Sequence, residues 1–285
     1  MADASPYRLV QLRNGAWSIY SRAAGETCHP AIGPVAEAEA LYVGQLNLQA
    51  RRQAHGGEFT VWDVGLGAAA NALTLIRAAQ ELSCAIRILS FDNTIEPLRF
   101  GLQHAGELGY FHGFEHYLQE LIAWQSVSFQ HARQTVHWEV HLADFPSLLA
   151  RPGAESLPKP DAILFDPYSP AKNPEMWTLP LFASLFHLLD PRRPCAMPTY
   201  SRSTMVRMAL LLAGFYVGRG RAAGQKEETT LAANTPDLLD EPLNVAWLQR
   251  IRQSSGAEPL QTPVYRQAPL QPGTWEQLRR HPQFA

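Results

Sequence analysis

Short apolar runs bounded by turn residues alternate along this chain with longer stretches whose apolar positions recur every three or four residues. Phe59 to Val64, Arg87 to Asp92, Thr135 to Leu142, Ala162 to Phe165 and Cys195 to Tyr200 each read as strands from their length and their β-branched or aromatic content. Helical spacing is predicted over Ala72 to Leu82, over residues 97–130, over Leu179 to Leu189, and from a Ser201 cap through Leu212 to a stop at Gly214. Two more short strands follow, Gly214 to Gly218 and Thr229 to Ala233. Ahead of all this, Arg8 to Leu12 and Trp17 to Tyr20 flank Asn14-Gly15, a hairpin signal. A helix is expected from near Pro34 to Leu48, ending at His55-Gly56-Gly57. The pattern predicts an α/β protein with a mostly parallel seven-stranded sheet, helices on both faces and a small N-terminal hairpin. Expected divisions are 1–57 (hairpin and helix), 58–235 (the α/β domain) and 236–285 (a proline-rich C-terminal extension).

Composition narrows the class. The 285 residues are 46% hydrophobic and 18% charged with net charge −2, enough for a substantial core and without a global pull toward nucleic acid. Charge is uneven, because Pro191 to Lys226 holds Arg192, Arg193, Arg202, Arg207, Arg219, Arg221 and Lys226 with no Asp or Glu. That stretch is either a solvated face or a footprint for a phosphate backbone. Cys28, Cys84 and Cys195 are too scattered for a metal site or a disulfide framework. No signal peptide or membrane span is legible, so a cytoplasmic protein is expected, with no metal and no membrane partner. The oligomeric state stays open, and a monomer is compatible with the sequence.

The candidate chemistry sits at strand ends. Gly65-Leu-Gly67 follows a strand and precedes a helix, the context in which glycines let a ligand approach the backbone and a helix N-terminus. Asp92 ends the next strand at the interval where such folds hold ribose hydroxyls, although it equally suits the N-cap of a helix near Glu96. Asp144 stands just past the third strand, either facing an adenine amino group or capping the turn at Pro146. Asp166 follows the buried run Ala162 to Phe165, where Pro167 and Pro170 stop both strand and helix. The glycine turn also satisfies a dinucleotide fingerprint, which makes a nicotinamide enzyme the competitor.

Asp166-Pro-Tyr-Ser-Pro-Ala-Lys-Asn-Pro-Glu-Met-Trp177 resembles the Asp-Gly-Phe-x-Pro-x-Lys-Asn-Pro-x-x-Trp run of the MnmC methyltransferase family. Gly65-x-Gly67-x-x-x-Asn71, Ser90-Phe-Asp92, Ala143-Asp144 and Gly224-Gln-Lys-Glu227 are weaker matches, and together they span roughly Gly25 to Ala233. Pro167, Leu66 and Ala68 depart from the family pattern. The resemblance implies a Rossmann-like class I fold dependent on S-adenosylmethionine (SAM), closed by an antiparallel last strand. It implies methylation of 5-aminomethyl-(2-thio)uridine to 5-methylaminomethyl-(2-thio)uridine at the tRNA wobble position, with the anticodon region as partner. It also implies a stand-alone form without the FAD oxidoreductase domain.

On the same resemblance Gly65, Gly67 and Asn71 shape the cofactor's methionine pocket, Asp92 and Asp144 take ribose and adenine, and Phe145 belongs to the cofactor side. Asp166 faces the acceptor amine. An ordinary carboxylate is too weak a base to strip an ammonium, so its expected task is to accept a hydrogen bond and aim the lone pair. Tyr168 and Trp177 are candidates to stack on a splayed base, with core packing the other reading of Trp177. Lys172 and Lys226 are candidates for anticodon phosphates or plain solvated lysines. Competing readings are methylation of another exocyclic or small-molecule amine, and a SAM-fold RNA-binding module without turnover.

Overall fold

Strand β1 (Tyr7–Gln11) pairs with β2 (Trp17–Ser21) across the Asn14-Gly15 turn, and β3 (Glu26–Thr27) adds a third antiparallel strand. This computed structural model describes residues 5–29, 31–48, 51, 57–80, 85–222 and 227–285. Helix α1 (Pro34–Ala38) continues through a π-turn, Glu39–Val43, to Leu46. The expected end of this helix at His55-Gly56 lies outside the described residues.

The main sheet is built from β4 (Phe59–Val64), β5 (Ala85–Asp92), β6 (Ser126–His131), β7 (Gln134–Leu142), β8 (Ala162–Phe165), β9 (Ala196–Thr199), β10 (Tyr216–Gly220) and β11 (Thr229–Ala233). Its order is β10-β11-β9-β8-β4-β5-β7-β6. Strands β7, β5, β4, β8 and β9 are parallel, and β11 runs antiparallel between β9 and β10. The antiparallel closure is as expected, but the sheet has eight strands rather than seven.

The extra strand corrects the prediction that residues 97–130 are helical throughout. Helices α2 (Ala70–Ala78), α3 (Glu96–Gln103) and α4 (Glu115–Trp124) are present, but α4 ends at Gln125. Gln125 adopts a left-handed conformation (φ 57°) that reverses the chain into β6. There Val127 and Phe129 turn inward while Ser128 and Gln130 face solvent. The period of two was present, but it abuts an apolar helix without a glycine or proline between them.

Alternation along the central strands splits the core between two faces. Val61, Ile86, Ile88, Val136, Trp138 and Leu164 pack on one side with Leu73, Ile76 and Leu118. Trp62, Val64, Phe91, Ile163 and Phe165 pack on the other with residues of α5 (Phe145–Leu149), α6 (Leu179–Leu188) and α7 (Thr204–Leu212). The C-terminal helices α8 (Val245–Ile251) and α9 (Pro272–Arg279) add Trp247, Ile251, Trp275 and Leu278 to this second face. Gln283 then bonds both the N–H and the carbonyl of Val217 at 2.7 Å, satisfying the edge strand β10 as a further strand would. Among the described residues no helix is long and apolar enough to cross a membrane.

Candidate active site

The carboxyl ends of β4, β5, β7 and β8 open into one cavity of about 590 Å³, a volume ordinary for a small-molecule site. Three backbone bonds tie these ends together: Gly65 N–H to Phe91 O, Asp166 N–H to Val64 O and Ala143 N–H to Asp92 O, each 2.9 Å. Gly65 (φ +95°) lets β4 pass directly against the Asp166 backbone. At Gly67 (φ +51°) an added Cβ would meet no atom within 4 Å, so the missing side chain leaves the turn open. Asp92 Oδ2 accepts the Gly67 N–H at 3.1 Å, fixing the turn, and Oδ1 accepts from Thr94 N–H. Burial pushes the Asp92 carboxyl above the ordinary range, and those N–H bonds pull part of the way back. Asp92 does not cap the helix at Glu96, whose N-cap is Ile95. Asp144 both lines the cavity and caps α5 through the Ser147 N–H at 3.0 Å, with Phe145 on the same wall.

Asp166 lines the same cavity. Its Oδ2 accepts from Asn71 Nδ2 at 2.8 Å and lies 3.2 Å from His29 Nε2. Asn71 is therefore buried beneath Asp166, away from the cavity wall expected for it. Trp177 is likewise not a stacking surface. It is fully buried, its Nε1 donates to the Tyr168 carbonyl at 2.8 Å, and its ring meets Phe165 edge-on at 5.3 Å. An indole supplies more apolar area and one satisfiable donor to this core than a loop lip would use. Tyr168 does line the cavity, half-buried, with its hydroxyl pushed up chiefly by burial. Lys172 is exposed beside Gly25, outside the cavity lining. Lys226 and residues 223–225 lie outside the described residues.

The basic stretch finds acids from elsewhere in the fold. Arg193 bonds Asp161 at 2.7 Å, and Arg207 and Arg219 reach Glu228 at 2.9 and 3.1 Å.

The N-terminal segment supplies residues that sequence reasoning passed over. Ala23, Ala24 and residues 26–29 line the cavity, and Glu26 accepts from both the backbone N–H and the hydroxyl of Ser169. His29, Glu37 from α1 and Tyr200 complete the surroundings of Asp166, with the fully buried Tyr42 of the π-turn close enough to feel its charge. The one available signal was Gly25-Glu-Thr-Cys-His-Pro30, a loop dense in reactive side chains.

The cavity lining holds Glu26, Glu37, Asp92, Asp144, Asp166 and Glu175 and, among the described residues, no Lys or Arg. Such a lining suits a cationic guest and repels a pyrophosphate, which disfavours the dinucleotide alternative. SAM carries a sulfonium and an ammonium, and the open glycine turn with acids at the ends of β5 and β7 fits it. Gly65, Gly67, Asp92, Asp144 and Phe145 all line this cavity.

Beneath the turn, Asp63 is fully buried, accepting from Ser90 Oγ at 2.7 Å, and its carboxyl is pushed up to about 7, chiefly by desolvation. A carboxyl with a folded-state pKa above its unfolded one stabilises the protein only while protonated. That stability is lost as pH rises from the ordinary carboxylate range toward about 7. Asp63→Asn is therefore expected to gain stability over wild type as pH rises, reaching on the order of a few kcal/mol and levelling off above neutrality. Urea unfolding of both proteins across this range checks it, and a difference independent of pH would contradict it.

This fold and cavity resemble those of class I SAM-dependent methyltransferases. The family model described as S-adenosyl-L-methionine-dependent methyltransferase matches residues 111–235. Within that class the chain is MnmC-like. It is 37% identical over 97 residues to the tRNA 5-methylaminomethyl-2-thiouridine biosynthesis bifunctional protein MnmC of Ectopseudomonas mendocina, covering 34% of this chain and 14% of that protein. It is 28% identical over 228 residues to the protein of the same name from Aeromonas hydrophila subsp. hydrophila, covering 76% of this chain and 34% of that one. The chain thus spans about a third or less of these curated relatives. In structure it is similar to MNMC2 from Aquifex aeolicus, with a TM-score of 0.69 and 21% identity over 97% of this chain and 84% of the other.

Proposed function

We propose that the chain methylates a primary amine borne on a tRNA wobble uridine, converting 5-aminomethyl-(2-thio)uridine to its 5-methylaminomethyl form. The observation that carries this reading is a cavity lined by six carboxylates and, among the described residues, no Lys or Arg, with Asp166, held by Asn71, on its wall. SAM bound there supplies an electrophilic methyl group. The chain's own residues do the rest. The carboxylates favour positive charge, and Asp166 accepts a hydrogen bond from the acceptor nitrogen and fixes the direction of its lone pair. Charge growing on that nitrogen as it is alkylated is stabilised by the same carboxylate, already oriented before the reaction begins. Tyr168 at the cavity edge offers a ring face to an unstacked base. Support for a tRNA rather than a free amine comes from the MnmC-like sequence, including the Lys172-Asn173-Pro174 run.

The test is purified protein with methyl-labelled SAM and tRNA bearing 5-aminomethyluridine, followed by nucleoside mass spectrometry. One methyl group per target uridine is expected, on the side-chain nitrogen. Label entering only a polyamine or other small amine would replace the tRNA assignment. SAM binding without transfer to any tRNA would leave an RNA-binding module in its place.

A further inference from the structure

Asp166 does not stand alone, and its companion is a histidine that the proposed reaction has not used. His29 lines the cavity on the loop after β3, and its Nε2 is shielded from solvent with no hydrogen-bond partner beyond the 3.2 Å approach to Asp166 Oδ2. The Asn71 amide also reaches Oδ2. Both neighbours thus meet the same carboxylate oxygen. We propose that His29 is the group that takes the proton from the acceptor nitrogen, with Asp166 and Asn71 holding that nitrogen beside it.

This rests on the amine reading given above. A primary amine near neutral pH arrives mostly as an ammonium, which has no lone pair to offer. One N–H bond breaks, its electron pair stays on nitrogen as the lone pair, and the proton passes to Nε2. The imidazolium formed is paired with Asp166 and later returns its proton to solvent. Burial opposes charge on His29, but the Asp166 contact, the Glu37 carboxylate and Asn71 outweigh it, so the imidazole titrates above its ordinary value. The groups around it are Asp166 after β8, Glu37 of α1, Asn71 of α2 and, more remotely, Asp63 of β4. Every charged member of this set is an acid, so an imidazolium is tolerated where a second cation must also fit.

His29→Asn tests it, since His29 lies at φ 50° and asparagine accepts that left-handed backbone well. The expected result is SAM affinity within twofold of wild type and a rate about a hundredfold lower near pH 7. That defect should narrow toward about pH 9, where more of the amine is neutral without help. A second readout needs no SAM. In the free protein, at a pH set above the imidazole's own titration, ¹⁵N NMR should show His29 becoming an imidazolium on adding an anticodon stem-loop with 5-aminomethyluridine. The stem-loop with plain uridine should leave it unchanged. A His29→Asn protein with wild-type rate and acid limb, or an imidazole that stays neutral on binding, overturns the role of His29 alone. Wild-type protein that methylates no aminomethyluridine RNA overturns the amine reading and this proposal with it.

Discussion

Asp166→Asn should lower methyl transfer to aminomethyluridine tRNA by about a thousandfold, with SAM affinity unchanged within twofold. The asparagine keeps the volume of the side chain, and its carbonyl oxygen can still accept from Asn71 Nδ2, the bond that orients Asp166 in the wild type. What is lost is the negative charge, so the nitrogen's growing positive charge is no longer compensated inside a cavity partly shut off from water. SAM affinity should survive because Gly67, Asp92, Asp144 and Phe145 line other parts of the wall. Single-turnover rates with calorimetric SAM titration separate the two quantities. A variant that keeps a tenth or more of the wild-type rate would show that Asp166 does not meet the acceptor.

Gly65→Ala should be the most damaging small substitution in the site. Its Cβ would lie 2.8 Å from the Asp166 carbonyl oxygen and 3.1 Å from the carbonyl carbon, both backbone atoms that cannot swing aside. The backbone at φ +95° is itself strained for any residue with a side chain. We expect a loss of about 2–4 kcal/mol of stability together with weakened SAM binding. Gly67→Ala is the control, because its Cβ meets nothing within 4 Å and φ +51° lies in the left-handed region alanine enters at about 1–2 kcal/mol. It should fold nearly as well yet bind SAM less tightly, since its methyl group enters the cavity. Denaturant midpoints and calorimetry on the pair decide this, and equal stabilities would contradict the close-approach argument.

The hydrophobic pattern alone determined the parallel strands β4, β5, β7 and β8, the helix after the glycine turn, and the acids at the strand tips. Their signals are local: a run of Ile163-Leu-Phe165 or Val61-Trp62 suits a strand buried on both faces wherever it lies in the sheet. Strand β6 was hidden because an alternation of six residues directly follows an apolar helix, and only pairing with β7 selects the extended form. The tertiary structure alone decided that Asn71 serves Asp166, that Trp177 is core, and that His29, Glu26 and Glu37 share the cavity. These residues come from the N-terminal sheet, α1, α2 and the loop after β8, and what joins them is proximity across folded elements. No periodicity along the chain records such proximity, because it exists only once β3 and its loop close over the sheet's carboxyl edge.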